Sequence, residues 1–409
     1  MGKLSWLPAS LAALVTAWAA LTRPASVRLS DLGVYTGATE SLWHHGSLYD
    51  FISAGNAPFT YPPFAGLLFL PLTALPTLPL QFAWTLATIA TVAGLALLLG
   101  RHNGRAPAYA LVLVLSAPVS SDLKYGQVSL FLAAMIAVDV LSLRRSRWQG
   151  VLIGLAAAIK LTPLIFIPML WFAGRRRAAL VATGTFAACG TLAALALPAD
   201  TVRFWTTEVT HVSRLGYITS VGNQSLNGAL MRFEVPATIR TLAVLVIGGA
   251  VAAIALRRAA RLGRDGDWLP ALIIVGAASV VLSPVSWTHH QVWLVLAALL
   301  PTRWRAWPLI PLALMLLPVT ALGPPLWSNS RLLLAIAIVT LVPLARPSRS
   351  SADAAGPSCV PGRRRCASLS ETADPATPGR QDPQPCRCSP ERPALSPAPP
   401  EPAATPHRR

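Results

Sequence analysis

Asp31 follows an apolar run from Leu4 to Leu21 and opens the stretch Asp31-Leu-Gly-Val-Tyr35, which leads on to Tyr61-Pro-Pro63. A carboxylate just beyond a membrane helix, followed by aromatic and Pro-rich sequence, points to general-base work on a lipid-linked substrate at a membrane surface. Lys160 sits between two apolar runs, and an ammonium at membrane depth persists only where it lines a polar cavity or meets an anion; otherwise it snorkels or pairs internally. The adjacent His289 and His290 either donate to an anion or cap a helix start, and Lys124 is a further cation nearby in the outer segments. Trp287 and Tyr61 either stack on a substrate or border a lipid groove. Asn223 and Gln224 offer amides to hydroxyl groups or form a plain turn, and Tyr35 and Gln127 complete the candidate substrate contacts.

Membrane helices must position these residues. Apolar residues make up 54% of the 409-residue chain and charged residues 12%, with charge-poor runs recurring from Leu4 to about Ala345. Lipid tolerates only helices or closed barrels, and continuously apolar runs select helices. The expected fold is all-α: a polytopic membrane helical bundle of about 12 spans, near 4–21, 80–99, 106–121, 126–143, 150–160, 163–173, 178–198, 237–256, 269–283, 289–301, 306–321 and 330–345. The pair around Lys160-Leu-Thr-Pro163 reads as a broken hairpin dipping toward a water-filled cavity, and 62–78, broken by Pro62, Pro63, Pro71 and Pro76 and followed by Pro79, as a re-entrant or interfacial segment. With a cytoplasmic N-terminus, the short inner connections hold 15 basic residues against nine in the longer outer segments, so both termini are expected inside. That topology brings Asp31–Pro63, Asp122–Gln127, Lys160–Pro163, Asn223–Ser225 and Ser283–His290 to the extracytoplasmic face of the plasma membrane.

Residues 1–345 then form the membrane-embedded domain, and 346–409, rich in Pro, Ser, Ala and Arg, a disordered cytoplasmic tail. The net charge of +18 is divided between membrane loops and this tail, with no compact basic domain, which excludes nucleic acid as a partner. No cleavable signal peptide is expected, because the first span is longer than an h-region. Four of the five cysteines fall in the tail without paired metal-ligand spacing, and no metal site is assigned. Of the sixteen acidic residues, ten precede the tail, and the topology leaves seven outside: Asp31, Glu40, Asp50, Asp122, Asp200, Glu208 and Glu234. Asp31 is the best-placed base and Asp122 the second. Asp265-Gly-Asp267 lies in an Arg-rich inner turn and reads as a turn, and Arg203, Arg214 and Arg232 either meet an anionic head group or stay surface charges.

Six segments in order resemble the signature of glycosyltransferase family 87: Asp31-Leu-Gly-Val-Tyr35, Tyr61-Pro-Pro63, Tyr125-Gly-Gln127, Gly154-Leu-Ala-Ala-Ala-Ile-Lys160 with Thr162-Pro163, Asn223-Gln-Ser225, and Ser283-Pro-Val-Ser-Trp287 with His289-His290. The resemblance spans about residues 30 to 300. It implies a GT-C fold and an inverting α-(1→2)-mannosyl transfer from a polyprenyl-phosphate-mannose donor to a glycolipid or polysaccharide acceptor. In this implied scheme Asp31 is the base, and the donor phosphate is the task proposed for Lys160, His289, His290 and Lys124. One carboxylate suffices, because a phosphate leaving group needs neutralisation more than a proton. No cofactor is called for, and a divalent cation stays open because the outer acids form no ligand cluster. The competing class is a lipid or solute transporter or flippase, which would move substrate without making a glycosidic product; the absence of an internal repeat counts against it.

Overall fold

The computed structural model describes residues 3–344 apart from 212, 213 and 215. The tail 346–409 with its four cysteines lies outside the described residues. In chain order the α-helices are α1 (Leu7–Leu21), α2 (Ser30–Glu40), α3 (Pro63–Phe69), α4 (Thr77–Gly100), α5 (Ala106–Leu115), α6 (Ala117–Tyr125), α7 (Ser129–Leu141), α8 (Val151–Ile159) and α9 (Phe166–Phe172). They continue with α10 (Arg176–Ala196), α11 (Pro198–Thr206), α12 (Leu226–Arg232), α13 (Ala237–Arg264), α14 (Trp268–Leu282), α15 (Val292–Leu296), α16 (Leu309–Leu316), α17 (Pro325–Ser328) and α18 (Ser330–Thr340). Among the described residues the only β pairing is two isolated bridges, so the all-α expectation holds.

Four helical stretches are long and apolar enough to cross a bilayer: Leu4–Leu21, α4, α10 and α13. The bent pair α5 and α6 makes a fifth if counted as one span. Their apolar side chains face outward, with Trp18, Leu86 and Val246 all well exposed, which is the solvent preference of a lipid-facing surface. The expected twelve full spans are not reached by helices of that length. The runs at 126–143, 163–173, 269–283 and 330–345 instead form shorter apolar helices. Helix α14 is buried on every side, Ala271 to Ala278 among its most enclosed residues, and packs between α13 and α18 as the centre of the core.

Prolines set the breaks that matter for the site. Pro118, at the second position of α6, has no N–H to offer the carbonyl of Val114, and its ring crowds that carbonyl. Ser116 therefore turns extended at ψ 147°, and α5 and α6 meet at 63°. In the same way Pro163 prevents α8 from running on past Ile159, and Lys160 adopts extended geometry at φ −149°, ψ 134°. A 3-10 turn, Thr162–Ile165, restarts the chain into α9.

The other end of α8 is held by a buried carboxylate. Asp139 accepts N–H bonds from Gly150 (2.8 Å), Leu152 (3.0 Å) and Ile153 (3.3 Å), supplying the donors that a helix start leaves unpaired. Two segments left between the expected spans are helical. Residues 30–40 form α2 rather than loop, and α13 extends through Arg257–Arg264 because Arg258 donates to the carbonyls of Ile338, Val339 and Val342. Asp265-Gly-Asp267 is the turn expected of it, with Gly266 at φ +89° and the Asp267 N–H on the Leu262 carbonyl.

Candidate active site

A cavity of about 690 Å³ opens where α2, the segment 55–62, the end of α6, the Lys160 break and the turns 208–222 and 283–290 converge. Eight of the sequence candidates line it: Asp31, Tyr35, Tyr61, Gln127, Lys160, Trp287, His289 and His290.

Asp31 lies in the first turn of α2, where the unpaired N–H groups and the helix dipole favour a negative charge. Helical spacing places Asp31 and Tyr35 one turn apart on one face. Gln127 donates its side-chain N–H to Asp31 Oδ2, and the Ser30 hydroxyl donates to Oδ1 at 3.3 Å. Burial raises the Asp31 carboxyl above its ordinary value; the Gln127 and Ser30 hydrogen bonds and the Lys160 charge pull it down without cancelling that rise.

Gln127 reaches this place through a glycine. Gly126 ends α6 at φ +69°, and its N–H and that of Gln127 both bond the Asp122 carbonyl, at 2.8 and 3.1 Å. A Cβ at Gly126 would stand 2.9 Å from Leu32 Cβ and 3.0 Å from Leu29 Cβ, so only glycine lets the turn seat against the start of α2. On its carbonyl side, Gln127 Oε1 accepts from the hydroxyls of Tyr35 (3.0 Å) and Tyr61 (3.1 Å), which lie 2.9 Å from each other.

Lys160 and the two histidines line the same cavity. Lys160 Nζ lies 2.7 Å from His290 Nε2 and 5.1 Å from the centroid of the Tyr61 ring. The Trp287 N–H donates to His290 Nδ1 at 3.2 Å, and His289 Nδ1 is 3.4 Å from the Ser121 hydroxyl. The two imidazoles meet edge to face with centroids 4.5 Å apart. Lys160 and His290 also border a second cavity of about 40 Å³ with Ser129 and Ser286.

Other candidates are placed elsewhere. Lys124, in the last turn of α6, does not line the cavity and stacks over Tyr125 at 4.9 Å. Asp122 is buried inside α6, away from the cavity wall. Asn223 and Gln224 are fully buried with their amides used within the protein. Asn223 bonds Ile218 O, Ser225 N and Ser286 N; Gln224 bonds Val221 O, Ser328 O and Leu332 N. They shape the wall next to Trp287 rather than presenting amides to a ligand.

The three candidate arginines are engaged within the protein, although Arg214 also lines the cavity. Arg203 pairs with Asp50 (2.6 Å) and Glu208 (2.9 Å), Arg214 pairs with Glu208 and donates to Tyr49 O, and Arg232 donates to Ser220 O, Asn223 O and Asn329 Oδ1. With Asp200 accepting from Ser47 and from the Leu48 N–H, this network fixes residues 47–50, and the Tyr49 hydroxyl in turn holds the Tyr61 carbonyl at 2.9 Å.

Sequence reasoning missed Ser121 and Thr288 on the cavity wall, and it named Thr162 and Glu208 without giving them a role there. Short hydroxyl residues and a paired acid carry no spacing signal when their partners are far away in sequence. Among the described residues no three His, Cys, Asp or Glu side chains cluster as metal ligands would. The arrangement gathers a hydrogen-bonded carboxylate, an ammonium and two imidazoles in one cavity, which suits deprotonation of a hydroxyl by the first and binding of an anion by the others.

A glycosyltransferase family 87 model matches residues 59–284. The chain is 34% identical over 345 residues to a Mycolicibacterium smegmatis protein named polyprenol-phosphate-mannose-dependent alpha-(1-2)-phosphatidylinositol pentamannoside mannosyltransferase, covering 77% of this chain and 82% of the relative. It is 32% identical over 325 residues to a Mycobacterium tuberculosis protein named polyprenol-phosphate-mannose-dependent alpha-(1-2)-phosphatidylinositol mannoside mannosyltransferase, covering 72% and 75%. No solved structure matches the chain.

Proposed function

The chain belongs to glycosyltransferase family 87, a family of membrane glycosyltransferases of the GT-C type, and from that premise we propose that it transfers mannose from polyprenyl-phosphate-mannose to a phosphatidylinositol mannoside or related glycan, forming an α-(1→2) linkage with inversion. Its relatives' names supply the donor and acceptor classes. The observation that carries the reading is Asp31, the cavity carboxylate that no arginine neutralises, lining one cavity with the Lys160–His290 pair.

In the reaction, Asp31 takes the proton of the acceptor hydroxyl as that oxygen attacks the anomeric carbon. The bond between that carbon and the phosphate oxygen breaks on the opposite face, and polyprenyl phosphate leaves with the electron pair. Inversion follows from this in-line geometry. Lys160, with His289 and His290, stabilises the phosphate charge. Tyr61 and Trp287 offer aromatic faces to the sugar or the lipid. The working face is assigned to the extracytoplasmic side, with both termini cytoplasmic, on the distribution of Lys and Arg. Nucleotide sugars are confined to the cytoplasm, so a donor carried across on lipid fits an outward cavity. The catalytic unit is assigned to residues 1–345.

The test incubates purified protein with radiolabelled polyprenyl-phosphate-mannose and phosphatidylinositol mannoside acceptors. Wild type yields a lengthened glycolipid, and Asp31→Asn loses about 10²- to 10⁴-fold in turnover while remaining folded. Lipid or solute movement without glycosidic product would replace this reading with transport. Labelling of a cysteine placed at position 31 only from the cytoplasm would overturn the sidedness.

A further inference from the structure

Building on the assignment of Asp31 as base, we propose that Gln127 is a positioning residue for it, held in a single orientation by Tyr35 and Tyr61, and not a sugar contact. Three oxygens form a triangle with sides of 2.9, 3.0 and 3.1 Å: the two phenols and Gln127 Oε1. Two phenolic protons are available to it. With Oε1 in the triangle, at least one proton must fall on that oxygen, and the amide N–H₂ points at the carboxylate. Reversing the amide would leave a buried phenol proton without an acceptor and set the amide oxygen against an ionised carboxylate. Both are costly in a buried site. Burial keeps both phenols in the protonated, donating form.

The consequence for Asp31 is geometric. Gln127 engages Oδ2, so Oδ1 is the oxygen left to meet an incoming hydroxyl, with only the longer Ser30 contact on it. The amide therefore fixes which carboxylate oxygen works. It also favours the charged form that a base requires. The chain of contacts continues from the Tyr61 ring to the Lys160 ammonium, so the residue that binds the anion rests on the aromatic that orients the base. The charged and titratable groups bearing on Asp31 are Lys160 at the α8 break, Asp122 in α6, and the phenols of Tyr35 and Tyr61. The packed segments Pro63–Phe69 and Leu70–Ala74 carry none, and His44 lies beyond the opposite end of α2.

The test compares Gln127→Leu, Gln127→Glu and Tyr35→Phe with wild type, reading kcat, donor KM, the acid limb of kcat/KM and the unfolding temperature. Gln127→Leu is expected to lower kcat about 10- to 100-fold with little change in donor KM. Its acid limb should move up by about one pH unit, because a hydrogen bond to the charged form is gone. Gln127→Glu should move it further, since two carboxylates in contact share a proton. Tyr35→Phe, which keeps the ring packing, should give a smaller shift in the same direction and serves if the Leu variant does not fold. An unmoved acid limb in all three, or a loss expressed only in donor KM, overturns the assignment. Asp31→Asn run alongside separates the two levels: if it stays active the base itself is misassigned, whereas an inactive Asp31→Asn with a normal Gln127→Leu sinks only the role of Gln127.

Discussion

Replacing Gly126 by alanine tests whether the turn that ends α6 aligns the base. The added methyl would lie 2.9 Å from Leu32 Cβ and 3.0 Å from Leu29 Cβ, whereas carbon contacts settle at about 3.5–4.0 Å. A gap of roughly 0.5–1 Å must therefore open between the turn and the start of α2. Neither side yields easily. Leu29 is buried and already at φ +45°, and Leu32 is buried against the core. Alanine also has to hold φ +69°, at a cost of about 1–2 kcal/mol. Overpacking adds about 1–3 kcal/mol, for a destabilisation of about 2–5 kcal/mol. Because Gln127 is the next residue and its amide meets Asp31 on α2, the same gap separates amide from carboxylate. A misplacement near 1 Å can cost about 10²-fold, so kcat should drop about 10- to 100-fold. The assay is thermal unfolding in detergent together with steady-state transfer kinetics. Gly94→Ala in α4, where nothing lies within 4 Å of the new methyl, is the control and should stay within about 1 kcal/mol of wild type. If Gly126→Ala matched the control in both stability and rate, the proposed alignment through this turn would be wrong.

Asp31→Asn, with its loss of about 10²- to 10⁴-fold in turnover, should unfold at the same or a higher temperature than wild type. Burial raises the Asp31 carboxyl, so the folded state holds its proton more tightly; that stabilisation is present in acid and is lost as the pH rises through the raised value. The stability difference between variant and wild type should shrink toward acid pH, and wild-type kcat/KM should fall on the acid side above the ordinary carboxylate value of about 3.9. A destabilised Asp31→Asn at neutral pH would contradict this sign. Lys160→Met should weaken donor use by about 10²-fold, read as donor KM and turnover, and unchanged values for both would remove Lys160 from the phosphate site. Asp139→Ala leaves the N–H groups of Gly150, Leu152 and Ile153 without their acceptor and should cost about 3 kcal/mol or more in unfolding experiments, with Asp139→Asn retaining part of it. Equal stability of both with wild type would show that cap to be dispensable.

Much of this was legible in the sequence because it follows from local composition and from breakers. Apolar runs without charge gave helices, Pro163 beside Lys160 marked the broken segment, and an acid after the first span found the cavity. Span lengths were less legible. A run such as 269–283 is apolar because it is the core of the bundle, and hydropathy does not separate burial in protein from burial in lipid. The helical state of 30–40 was hidden by its glycines and polar residues; it is held by packing of Tyr35 on Phe69, with centroids 4.7 Å apart, which no local pattern records. For the same reason Asn223 and Gln224 stood out as amides while their partners Ser286, Ser328 and Leu332 lay far along the chain. Gln127 is legible as a polar residue of the site, while its hydrogen bond to Asp31 crosses 96 positions and leaves no local signal.

The interruption after Ile159 has a consequence for inheritance as well as geometry. Each residue of an unbroken helix turns the next by about 100°, so a mutation that allowed α8 to wind on through position 163 would swing every following side chain around the axis. The ammonium at 160 would be re-aimed from an aqueous pocket toward protein or hydrocarbon, where charge is poorly tolerated. A lineage losing the imino acid at 163 would thus forfeit its anion clamp without altering a single charged residue.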